Sequence, residues 1–193
     1  MMGKHHVIVN LALSSAFLTG SALYVPFCEQ VRAVVFASVS GPVWQRSLLY
    51  AGCAAGLCLG SLFPDIDNRK SLLGRYFKVP GEHRTWTHTL WVCLVLLPMC
   101  FVSSLALWFW MGYVLHLLMD SVSAGGVCWL YPITRYRVYS SGAKVAQGHQ
   151  IKLYYAGKLS EQWTMCVICI LCLLFVLYVG IWRQGFAVWM TLL

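Results

Sequence analysis

From Trp163 to Trp182 the chain runs for twenty residues without a charged side chain. As a helix rising about 1.5 Å per residue, such a run matches the ~30 Å hydrocarbon core of a bilayer. Four other apolar segments, near 7–27, 44–63, 89–102 and 104–119, repeat the pattern. The 193 residues are 60% hydrophobic and 10% charged, and the mean hydropathy is +0.70. A water-soluble domain is not built from this composition. The expected architecture is all-α: a polytopic membrane protein of about five apolar helices, forming one domain over 1–193.

The stretch 89–119 is nearly continuous and needs a break. As a single helix it would hold His88 and His116 about 42 Å apart. A turn near Pro98 to Ser104 makes a short hairpin and returns both histidines to one side. Thr85 or Thr87 is the expected cap of the first of these two helices. The N-terminal run, preceded by Lys4, resembles a signal peptide. It extends to Phe27 without a small-residue exit, so it is read as a retained anchor.

Eleven of the fourteen Lys and Arg fall in the N-terminus, 64–88 and 120–162; only Arg32, Arg46 and Arg183 fall elsewhere. Positive charge marks the cytoplasmic side. With five crossings, that side also carries His5, His6, His83, His88, His116, His149 and all three aspartates. The net charge of +8 therefore reads as loops facing anionic lipid. No contiguous basic helix or recognised module points to nucleic acid. Most cysteines lie in apolar runs and behave as small hydrophobes. Cys166, Cys169 and Cys172 recur every third residue, but in mid-helix, where no turn can wrap a metal.

The three aspartates fall in two short motifs, Pro64-Asp65-Ile66-Asp67 and His116-x-x-x-Asp120. On a helix, His116 and Asp120 share a face one turn apart. Asp65 and Asp67, two apart, suit an extended turn in which Ile66 points away; carboxylates this close repel unless a cation separates them. His83 in a loop and His88 in a first helical turn can face one centre. His6 opens the first apolar segment on the same side, with His5 beside it. Mixed His/Asp donors suit zinc, manganese or iron better than calcium or magnesium. The candidate ligands are His6, Asp65, Asp67, His83, His88, His116 and Asp120, enough for one or two divalent transition metals. Two metals would activate water and clamp a phosphoryl or acyl oxygen. Asp65 or Asp67 could act as base, and Arg84, with Arg69 and Lys70, could hold an anionic head group. No nucleophile elbow occurs.

In order, the chain presents His6, then LFPDIDNRKS (62–71), HRTWTHT (83–89) and GYVLHLLMDSVSAGGVCWLYP (112–132). These motifs resemble the YdjM-type family of bacterial inner-membrane proteins, described as membrane-bound metal-dependent hydrolases. The resemblance spans 6–132. Asn68, Glu82, Thr89, Ser123 and Tyr131 stand where the family commonly has His, Gly, Ser, Thr and Trp, and none of these changes removes a candidate ligand. Beyond Pro132 only Arg135, Arg137 and Glu161 have weak counterparts. A distant similarity of that family to helical zinc phospholipase C and P1-type nucleases implies phosphoester hydrolysis; with the site on the positively charged, cytoplasmic side, a membrane lipid is the expected substrate. Two other readings stay open: an ion or metal transporter, and a non-catalytic assembly factor with a structural metal. Residues 133–162 read as a basic, aromatic loop, 163–182 as the last transmembrane helix, and the tail after Arg183 as an interfacial segment.

Overall fold

The structure is a computed structural model that describes residues 3–21, 42–77, 84–133, 136–138, 144–146 and 151–192. Helix α1 (Gly3–Ser21) and helix α2 (Val43–Leu62) correspond to the first two apolar segments. Pro42 precedes α2, and Pro64 follows it. A proline has no N–H to continue an α-helix, so the chain tightens into a 3-10 turn over Pro64–Asp67.

The third segment is more irregular than a single short helix. A 3-10 turn at Trp86–His88 leads into α3 (Leu90–Leu96), which passes into a second 3-10 stretch, Leu97–Phe101. The expected break is present, but it falls at Val102 and Ser103, after Pro98 has opened the 3-10 stretch. The cap of α3 is Thr89, whose side chain accepts from the Val92 N–H, and not Thr85 or Thr87. Ser103 caps α4 (Ser104–Ser121) by accepting from the Leu105 N–H. Beyond α4, the strands β1 (Tyr136–Val138) and β2 (Lys144–Ala146) form a small antiparallel ribbon. Helix α5 then runs from Leu159 to Leu192. It continues straight through Arg183, where a separate interfacial tail was expected.

Helices α2 and α4 form the closest pair, and α1 packs against α2 and α5. The α2–α4 approach depends on absent side chains. A Cβ on Gly60 would lie 1.9 Å from the Phe109 carbonyl oxygen, and one on Gly112 would lie 2.2 Å from the Leu57 carbonyl oxygen. Cys53, Leu57 and Trp108 pack on one side of this seam. Cys93, Tyr113, Leu117 and Val127 pack on the other, toward α3.

Among the described residues, the stretch Leu159–Ile181 of α5 is the one long and apolar enough to cross a membrane, and only 11% of it is buried within the protein. A helix apolar on all sides and covered on so few needs an apolar solvent. Just before it, residues 151–154 lie along the chain that leaves α4. The Ile151 and Leu153 N–H groups donate to Ser121 and Val122, and Ala124 N–H donates to Tyr154.

Candidate metal centre

Two turns and one helix end bring the His and Asp motifs together. Asp65 comes from the 3-10 turn after α2 and His88 from the turn before α3. His116 and Asp120 come from the last turns of α4. One donor atom from each lies within 4.8 Å of the other three, and all four residues are buried. His88 Nε2 is 3.8 Å from Asp65 Oδ1 and 3.6 Å from Asp120 Oδ2. His116 Nε2 is 3.7 Å and 3.8 Å from the same two oxygens. Tetrahedral zinc, with bonds of about 2.0–2.1 Å, sets its donors roughly 3.3 Å apart, so these four His–Asp separations are wider by about 0.4 Å.

Both imidazoles are oriented for ligation by their other nitrogen. His116 Nδ1 lies 2.6 Å from the Ser61 carbonyl oxygen. A carbonyl only accepts, so Nδ1 carries the proton and Nε2 offers its lone pair. That Nε2 is buried and makes no hydrogen bond. The Thr87 hydroxyl donates to Asp67 Oδ2 at 2.7 Å, so its oxygen is free to accept from His88 Nδ1 at 2.9 Å. His88 Nε2 is thereby also left as a lone-pair donor. A carboxylate or carbonyl behind each ligating histidine is the common arrangement around protein metals. The four residues therefore form a group that could hold a metal ion, and their donor chemistry fits one.

The remaining candidates fall around this cradle. A 3-10 turn advances about 120° per residue, so residues two apart diverge. Asp65 consequently faces the histidines while Asp67 turns to Thr87 and to the Arg84 N–H, 3.3 Å away. The extended turn expected for this pair is replaced by that tighter geometry. His6 is fully buried, its ring stacked on His116 at 3.7 Å and 18°. Its Nε2 is 3.3 Å from Asp120 Oδ1, the oxygen that faces away from the cradle. His83 and His149, with Glu82, lie outside the described residues.

Arg84 closes the cradle from the opposite flank. Its backbone is left-handed, with φ 67°, a conformation costly for a side chain of this size. Its Nη2 is 2.9 Å from Asp120 Oδ2, and its Nη1 donates to Ser123 Oγ and the Gly126 carbonyl. The guanidinium occupies the space a Cβ on Gly125 would need, 2.0 Å from Nη1. Asp120 lies one residue past the apolar run of α4. Burial raises its pKa, yet the imidazoles of His6 and His116 beside it hold the carboxyl well below the ordinary range. Nearby, burial and then the Asp120 charge push the Tyr154 phenol up, so it remains a donor, to the Met119 carbonyl.

Two groups of functional interest were given no role by the sequence reading. Glu161, fully buried in the first turn of α5, takes His5 Nδ1 at 2.5 Å and also accepts from the Gly157 N–H. An acid two residues ahead of a long apolar run was the available signal. Asn10 bonds Ser61 Oγ and the Gly112 carbonyl, tying α1 to the α2–α4 seam.

No curated protein and no solved structure matches the chain. The family model described as "YdjM inner membrane protein" matches residues 1–186, which include every element of the cradle. With that match across nearly its whole length, the chain belongs to the YdjM inner membrane protein family.

Proposed function

We propose that this is a polytopic inner-membrane hydrolase that uses a divalent transition metal, zinc first among zinc, manganese and iron, to cleave a phosphoester of a membrane-associated molecule. The observation that carries the reading is the convergence of four buried donors from three elements, with two imidazoles whose second nitrogens are already engaged. Buried carboxylates and imidazoles this close are costly without a cation among them.

Asp65, His88, His116 and Asp120 would hold the ion, which when bound supplies a Lewis acid and lowers the pKa of water. Asp67 and Thr87 fix the tautomer of His88. Ser61 does the same for His116. Arg84 holds Asp120 in place and sets a positive charge beside the oxygen that would ligate, where an incoming phosphoryl group needs it. A second ion, if bound, would draw on His6 Nε2 and Asp120 Oδ1. The Lys and Arg in the sequence segments that flank the site support a cytoplasmic position for it.

The test is metal content by elemental analysis of detergent-purified protein, wild type against an Asp65→Ala, His116→Ala variant. One to two equivalents in the wild type, lost in the variant, are expected, followed by metal-dependent turnover of a lipid phosphoester. Metal bound without turnover on any lipid phosphoester would favour a structural role. Metal uptake by proteoliposomes would favour transport.

A further inference from the structure

We propose that the end of the protein around the cradle is a docking collar for anionic phospholipid head groups, with Arg69, Lys70 and Arg75 on one flank and Lys152 and Lys158 on the other. The proposal rests on the reading above, and names the membrane partner that this end of the molecule meets.

The first observation is the one-sided charge of the surface. Among the described residues no acid is exposed. Asp65, Asp120 and Glu161 are buried, and Asp67 is half-buried under Thr87 and Arg84. All five collar cations are exposed. Among the described residues their charge meets no exposed acid, a field that attracts anions.

The second is what lies between the cations. Leu72, Tyr76 and Phe77 are exposed beside Arg75, and Ile151, Leu153 and Tyr155 are exposed around Lys152. Arg75 itself lies over the Tyr76 ring, 5.8 Å from its centre. Apolar surface of this extent is not left in water without a partner. Aromatic and aliphatic side chains interleaved with Lys and Arg are the pattern of a surface that sits in a head-group layer. A free anion would use the cations and leave the rings unexplained.

The third is continuity. Asp67 bonds to Arg84 and Thr87, Arg84 bonds to Ser123, and Ser123 pairs with Tyr154. The segment that follows Asp67 and the segment around Tyr154 are thus tied to each other through Arg84, which also holds the cradle's Asp120. A leaflet seated on both flanks presents its phosphates to the cradle laterally, without their leaving the membrane.

The experiment is thermal unfolding of the full-length protein in a neutral detergent, titrated with dioctanoyl phosphatidylglycerol, dioctanoyl phosphatidylcholine or inorganic phosphate. The proteins are wild type, Arg69→Ala/Lys70→Ala/Arg75→Ala, Lys152→Ala/Lys158→Ala and Asp65→Ala/His116→Ala. Phosphatidylglycerol should raise the Tm of the wild type by several degrees, and the other two probes should not. The double variant should need roughly thirtyfold, and the triple variant roughly a hundredfold, more phosphatidylglycerol for the same shift, with unchanged metal content. Equal shifts with phosphatidylcholine, or with phosphate alone, would overturn the proposal, as would cation variants that respond like wild type. The Asp65/His116 variant separates the two readings. A phosphatidylglycerol shift retained there, with metal lost, leaves the collar standing whatever becomes of the hydrolase assignment.

Discussion

Thr87 shows how much chemistry one side chain carries in this protein. It was a candidate helix cap in the sequence, and the cap is Thr89. What Thr87 does is link Asp67 to His88 through one hydroxyl. Removing it leaves His88 free to turn or change tautomer. Thr87→Val should weaken metal binding by ~10–100-fold, and Thr87→Ser should restore most of it; competition against a chromophoric chelator measures both. At this scale the ligand types were legible, because Asp and His are rare in so apolar a chain and cluster at fixed spacings. Their division of labour was not. Whether Asp65 or Asp67 faces the histidines depends on the turn that joins them, and Pro64 produces a 3-10 turn from a pattern equally consistent with extended chain.

At the scale of elements, the apolar runs predicted the helices because burial and helix length follow directly from composition. The boundary between α3 and α4 was legible to within a few residues, since Pro98 cannot sit within an undisturbed α-helix. Less visible was the α2–α4 seam. Glycines in an apolar run signal close approach in membrane bundles, but which helix approaches is not written beside them. Gly60→Ala should lower the stability of detergent-solubilised protein by about 1–3 kcal/mol, because its Cβ would meet rigid backbone. Gly180→Ala is the control. Nothing lies within 4 Å of a Cβ there, so its Tm should be unchanged or slightly raised. Equal losses in both would show that the seam is not specially tight.

Across the whole molecule, α5 is joined to the rest chiefly through α1, and the His5–Glu161 pair is their buried polar link. Breaking a buried pair leaves one polar group without its partner, at about 3–5 kcal/mol. Glu161→Ala should therefore destabilise by that order, with Glu161→Gln milder; thermal unfolding distinguishes them. The outer face of α5 meets the bilayer. Cys166 is exposed in the protein alone, yet in intact membrane vesicles it should resist a membrane-impermeant maleimide and react only after detergent denaturation. Ready labelling in intact vesicles would place this part of α5 in water.

Composition alone determined the solvent of this protein: so many apolar runs with so few charges can be buried only by lipid and by one another. Residue rarity determined the chemistry, since carboxylates kept beside imidazoles in such a chain narrow the choice to metal sites or polar staples. Tertiary structure decided which donors meet. Four residues separated by up to fifty-five positions, from Asp65 to Asp120, converge only once α2 and α4 close on their glycines and two 3-10 turns aim Asp65 and His88 inward. Tertiary structure also set Asp67 and Arg84 behind the donors and placed His6 against Asp120's outward oxygen. Spacing along a chain reports local direction; convergence of distant side chains depends on helix packing, which no single segment encodes.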